Sequence, residues 1–225
     1  MRVARLAALM AVASLPFVAS PASAAPCVPA AVSVYTAAGF SCNVDGVTFS
    51  NINVSISLSG AATGSLDGFS IFNQGGEFGL NLLYHAFAAN AGDAVDIHWT
   101  MNVSGNLLTD ALLALSGQTS GSGLIGVNET LSPNGVSLTL NGAGTTVQQF
   151  APIASLTVLK DDFTFVPNCP QVGPCREGFA TSSILTNAFS LTQVPIPGAM
   201  GLFATGLGMM GILGWRKKRK TKAFA

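Results

Sequence analysis

The chain has 225 residues and a formal net charge of zero, but its charges are segregated. Arg2 and Arg5 open it and Arg216, Lys217, Lys218, Arg219, Lys220 and Lys222 close it, so the ten acids between face only Lys160 and Arg176, a net of −8. A body so poor in Lys and Arg excludes nucleic acid as a partner, because phosphate binding needs clustered cations on the folded surface.

Residues 1–24 read as a secretory signal peptide. MRVAR is a basic start, LAALMAVASLPFVA an apolar stretch, and Ala22-Ser23-Ala24 a small-x-small cleavage site. Cleavage after Ala24 leaves Ala25-Pro26 at the mature start and is preferred over a cut directly before proline. Export makes the even set Cys27, Cys42, Cys169 and Cys175 a set of disulfide candidates. Three pairings are open, and proximity favours Cys27–Cys42 with Cys169–Cys175. Neither spacing is C-x-x-C and no histidine lies near, which disfavours zinc.

Residues 25–193 predict an all-β extracytoplasmic domain. In VTFSNINVSISL, Ile52, Val54, Ile56 and Leu58 alternate with polar residues. In AVDIHWTMNVS, Val95, Ile97, Trp99, Met101 and Val103 do the same, and VSLTL (136–140) and DFTFV (162–166) repeat the pattern. Asp45-Gly46, Asn134-Gly135 and Asn141-Gly142 are hairpin-type turn signals. LLTDALLALSG (107–117) has helical propensity, but its Ser-Gly flanks assign it to a strand. Short alternating strands between turns predict an antiparallel β-sandwich of jelly-roll-like form.

Chemistry is sparse along this body. GSGLIG (121–126) matches a dinucleotide fingerprint in letters only, since strand-and-turn residues follow it and no acid lies in 135–160. No G-x-S-x-G, H-E-x-x-H or P-loop is present, so the chain is not expected to be an enzyme and no cofactor is implied. EFGLNLLYHAFAANAGDAVDIHWTMNV suggests a hairpin turning near Ala91-Gly92. That register sets Tyr84 against Trp99 inside and His85 against His98 outside, with Asp96 close enough to complete a surface metal site. Solvated strand residues are the plainer expectation for these three. Asp161-Asp162 and the Asp93/Asp96 pair are calcium candidates, again with solvated turn carboxylates as the plainer expectation. N-x-S/T sequons begin at Asn53, Asn102 and Asn128.

The last stretch is VPIPGAMGLFATGLGMMGILGWRKKRKTKAFA. Gly198 to Trp215 are 18 uncharged residues, about 27 Å as a helix, which matches a bilayer core. The predicted transmembrane helix 198–215 precedes a basic tail, 216–222, whose Arg216, Lys217, Lys218, Arg219 and Lys220 act as a stop on the cytoplasmic side. Pro195 and Pro197 keep the preceding strip extended and open to a processing enzyme.

Val194, Pro195, Ile196, Pro197 and Gly198, followed by a Gly-rich apolar helix and a basic end, resemble the PEP-CTERM sorting signal of Gram-negative bacteria, in a VPLPA-like variant with Ile196 where glutamate is usual. AAGFSCNVDGVTFSNINVS (37–55) is similar to the opening of PEP-CTERM surface domains. The resemblance implies an exosortase as partner, a transient inner-membrane span, and delivery to the cell surface or an extracellular polysaccharide matrix. The expected function is a structural or interaction protein of the cell surface. A carbohydrate- or metal-binding module is the alternative, and a secreted hydrolase ranks below both.

Overall fold

The computed structural model describes residues 24–168 and 178–192. The signal-peptide residues 1–23, Cys169 and Cys175, and the whole of 194–225 with its VPIP motif, apolar segment and basic tail lie outside the described residues. Among the described residues no helix is long and apolar enough to cross a membrane.

The all-β expectation holds. Strands β1 (Ala25–Pro26), β2 (Ser41–Val44), β3 (Val47–Ser59), β4 (Thr63–Gln74), β5 (Glu77–Ala88), β6 (Ala94–Ser120), β7 (Leu124–Ser132), β8 (Val136–Asn141), β9 (Gly144–Phe165) and β10 (Phe179–Ser190) are joined in one sheet, with a single turn of helix, α1 (Val32–Tyr35). Residues 107–117 are strand, inside β6.

Turn chemistry sets the hairpins. Asp45 and Gly46 both take positive φ (44° and 98°) between β2 and β3, the left-handed pair that a two-residue hairpin needs. Gly75 and Gly76 do the same between β4 and β5. Asn134-Gly135 turns β7 into β8. Asn141-Gly142 turns the chain without making a hairpin, because β8 pairs only with β7 and the chain then passes to β9 on the far side of β7.

The long strands β6 and β9 run antiparallel over most of their lengths, from Ala94↔Phe165 to Leu115↔Gly144. Residues 94–104 of β6 have β3 on their other edge. After register shifts between Ser104 and Asp110, where Leu107 sits at φ 65°, the strand leaves β3 and takes β10 instead. One half of the sheet is therefore β1-β2-β3-β6-β9-β7-β8 and the other is β9-β6-β10-β5-β4. The halves face each other: Phe69 of β4 meets Trp99 of β6 edge-on at 5.4 Å, and Tyr84 of β5 donates to Asp162 of β9. Tyr35 of α1 closes one end, stacked on Phe69 at 4.6 Å, with its hydroxyl donating to the Val28 carbonyl.

Cys27 and Cys42 form a disulfide, as proximity suggested. It joins the segment around β1 to β2 and closes a loop of sequence separation 15. In the chain-entropy account such a closure stabilises by about 3 kcal/mol. A Cys27→Ser, Cys42→Ser double variant is expected to lose about that much in urea denaturation. An unchanged midpoint would show that the closure contributes nothing.

Candidate functional site

The alternation of β6 points Val95, Ile97, Trp99, Met101 and Val103 into the core and leaves Asp96, His98, Thr100 and Asn102 on the outer face. Register with β9 sets His98 opposite Asp161, while Asp96 lies two residues along on the same face. The His98 imidazole contacts both carboxylates, Nε2 to Asp96 and Nδ1 to Asp161, each at 3.3 Å. One ligand atom from each of the three lies within 4.8 Å of the others, a spacing that a cation could bridge. The imidazole lies between the two carboxylates and bridges them. All three side chains are about half exposed, so these contacts contribute little to stability. The Asp96 carboxyl is raised, by partial burial first and then by the neighbouring Asp161, with His98 opposing.

The expected partner of His98 is not there. His85 lies on β5, opposite Ser65 of β4, and β5 pairs with β4 and β10 rather than with β6. Ala91-Gly92 is thus a crossing between the two halves of the sheet and not a hairpin turn. Tyr84 and Trp99 are both buried, as expected, but on opposing layers. Asp93 is no cation ligand either. It is buried, and its carboxylate accepts from the backbone N–H of Ala61 at 2.7 Å and from both the backbone and side-chain nitrogens of Asn90 at 2.8 Å. These bonds clamp the β3–β4 turn to the β5–β6 crossing and hold the Asp93 carboxyl below its usual range.

The outer face around His98 is a lattice of hydroxyls and amides. Ser55 and Ser57 of β3 flank His98 and Asp96, and Asn128 of β7 flanks Asp161. Thr157 donates to Asn102, and Thr139 to Asn128. The sequon residues Asn53, Asn102 and Asn128 all belong to these strands. Further along β9, Phe163 and Phe165 stand on the same face as Asp161, with ring centroids 5.7 Å apart. They line a shallow depression of about 250 Å³ together with Thr119, Leu124 and Asn141. Gly126 makes room for Phe163, since a Cβ there would meet the ring at 2.4 Å. DFTFV therefore runs with its faces opposite to the hydrophobic expectation, phenylalanines outward and Asp162 and Thr164 inward. GSGLIG leads into strand β7 and not a helix.

Sequence reasoning missed what the inner face of β9 holds. Leu156, Val158, Lys160, Asp162 and Thr164 all point into the core. Lys160 is fully buried, bonded to the carboxylate of Glu129, its register partner on β7, with Nζ 5.5 Å from the Trp99 ring centroid. Asn187 of β10 donates from Nδ2 to both Glu129 oxygens at 3.2 Å. Tyr84 donates to Asp162 at 2.5 Å, and the Thr164 and Ser182 hydroxyls are bonded to each other. Burial pulls the Lys160 ammonium down, against the raising effect of Glu129. The Asp162 carboxyl is pushed up to about 7, burial outweighing the opposing effects of Tyr84 and Lys160. One sequence signal existed: in LIGVNETLS an acid occupies a position in phase with Ile125, Val127 and Leu131.

No family model matches the sequence, and no curated protein matches it. Among solved structures, TmCBM61 in complex with β-1,4-galactotriose is similar over 59% of this chain and 86% of its own, at 9% identity and a TM-score of 0.27. The enzymatically active domain of bacteriophage CBA120 tailspike protein 4 aligns over 61% of this chain and 19% of its own, at 12% identity and a TM-score of 0.26. The GH31 α-xylosidase from Xanthomonas citri aligns over 65% and 21%, at 8% identity and 0.20. None superposes closely enough to inform the fold or the function of this chain.

The raised Asp162 carboxyl has a thermodynamic sign. The folded protein holds that proton more tightly than the unfolded chain, whose carboxyl titrates near 3.8. Its contribution is fully present below that value and is lost as pH rises through about 7. The melting temperature of the wild type relative to Asp162→Asn is expected to fall across this window and to level off above it. A flat difference would place an ordinary carboxylate at 162.

Proposed function

We propose that the chain is an exported cell-surface protein of structural or interaction type, built on a jelly-roll-like sandwich. It is sorted through its last thirty or so residues by an exosortase-like membrane enzyme and associates with extracellular polysaccharide. The observation that carries export is the Cys27–Cys42 disulfide, a bond that persists in an oxidising compartment. The polar outer face around Asn102, Asn128 and Thr157 supports contact with a hydrated polymer, because its hydroxyls and amides can exchange hydrogen bonds with water or sugar alike. In this proposal residues 198–215 span the inner membrane transiently, and cleavage near Val194-Pro195-Ile196-Pro197-Gly198 releases the domain to the surface.

Deleting residues 194–225 should send the domain into the culture medium. Mass spectrometry of surface-recovered wild type should find a C-terminus near the VPIP motif. Surface retention of the truncated form, or an intact lysine-rich end on the mature protein, overturns the sorting proposal.

A carbohydrate-binding module is the second function, favoured by the Phe163–Phe165 depression beside the hydroxyl and amide lattice. Aromatic rings next to hydrogen-bonding groups give a sugar both an apolar platform and polar anchors. A Phe163→Ser, Phe165→Ser double variant is expected to weaken retardation in polysaccharide-containing gels by about 1 kcal/mol. Equal mobility of variant and wild type across a panel of polysaccharides retires this function.

A further inference from the structure

Lys160 is the sole lysine among the described residues, and it is spent inside the core. Its amine, the Glu129 carboxylate and the Asn187 carboxamide come from three strands, β9, β7 and β10, and meet where none is more than 1% exposed. A single carboxylate oxygen, Glu129 Oε2, accepts from both Lys160 Nζ and Asn187 Nδ2. The remaining Asn187 atom, Oδ1, is buried without a hydrogen-bond partner. As a purely structural device this is poor, because a buried ion pair is commonly no better than apolar side chains of the same volume. An orphaned carbonyl adds its own desolvation cost. The same arrangement is, however, what an amide-forming reaction requires: an amine, a carboxamide, and one carboxyl group bonded to both with water excluded.

We propose that Lys160 and Asn187 form an intramolecular isopeptide bond, with Glu129 as the proton carrier. Burial favours the neutral pair, in which the ammonium proton has passed to Glu129 and Nζ carries a free lone pair. Nζ attacks Asn187 Cγ, and protonated Glu129, whose oxygens already contact Nδ2, delivers its proton to that nitrogen, so that Cγ–Nδ2 breaks as the carbonyl reforms. Glu129, now a carboxylate, takes back a proton from Nζ. Nζ–Cγ is the bond formed and Cγ–Nδ2 the bond broken, one ammonia leaves, and Glu129 ends protonated, as it was in the neutral pair. One amide replaces another, so no oxidant or energy-rich co-reactant is needed. The fold supplies the proximity that makes an unactivated carboxamide reactive. The product is a covalent brace between β9 and β10 across the two layers. It also removes the buried positive charge. This inference does not rest on export or on polysaccharide binding.

The test uses the full chain as recovered from its producing cells, unfolded, reduced and digested at aromatic and leucine residues. A branched peptide pair joined at Lys160 and Asn187, lighter than the sum of its parts by one ammonia, is the expected result. Lys160 should correspondingly fail to react with an amine-labelling reagent after unfolding. Glu129→Gln and Lys160→Met should yield only linear peptides. Asn187→Asp should restore the branch with loss of water instead of ammonia. Linear peptides carrying a freely labelled Lys160 from correctly folded wild type overturn the proposal whatever the variants do. So does a branch at Glu129 in place of Asn187.

Discussion

The pairing of β6 with β9 governs this molecule. Both strands pass through the two layers, so their mutual register decides which residues face the core in each. A slip of one residue would turn every side chain of the ribbon over. In the register adopted, Trp99 and Lys160 face inward side by side, with Glu129 next in the row on β7. His98 and Asp161 face outward on the following pair. The buried cluster and the outer triad are thus two faces of one register. The exchange of β3 for β10 near Leu107 is what brings β10, and with it Asn187, over the same core.

Energetically, the outer triad and the inner cluster are unlike. Half-exposed carboxylates around an imidazole are screened by water, and their loss costs little. Inside, Lys160, Glu129, Asn187, Asp162 and Tyr84 sit among apolar neighbours such as Val158, Val127 and Leu131. There each unpaired polar atom weighs heavily, and removing one partner strands the other. Trp99 Nε1 and Asp162 Oδ1, like Asn187 Oδ1, lack partners among the described residues. A core that carries this cost needs a compensating reason, and chemistry between its members is one that packing alone does not supply.

Period-2 alternation made the strands legible, including 107–117, whose propensity leaned toward helix. The paired positive-φ turn at Asp45-Gly46 and the nearest-neighbour disulfide were legible for equally local reasons. Facing was not. DFTFV offers phenylalanine and an acid on alternate positions, and hydrophobicity alone sends phenylalanine inward. The structure does the reverse, because β9 must continue the inward phase of Leu156 and Val158. The proposed β5–β6 hairpin failed through topology: an apolar strand, a Gly turn and another apolar strand look the same whether the chain doubles back or crosses to the other layer. Lys160 entered only the charge count, because no local pattern reveals that Glu129 and Asn187, 31 residues before it and on the next long strand after it, converge on it.

An open sheet folded on itself still has edges, and exposed edges invite pairing with other chains. Here one strap covers two of them. Ala25 and Pro26 lie along β2, and the Cys27 N–H bonds the Asn43 carbonyl. Three residues later Ala30 exchanges both backbone hydrogen bonds with Phe69 of β4, at 3.1 and 2.8 Å. Gly68 permits that approach, since a Cβ there would stand 2.6 Å from the Ala30 carbonyl oxygen. The strap therefore ties the β2 edge of one layer to the β4 edge of the other, and the Cys27–Cys42 bond fixes its near end. Two edges stay outside the strap: β8, limited to six residues, and residues 144–153 of β9, which pair with β6 alone. The disulfide thus acts beyond the loop it closes: releasing Cys27 frees the strap, and with it the covering of β4.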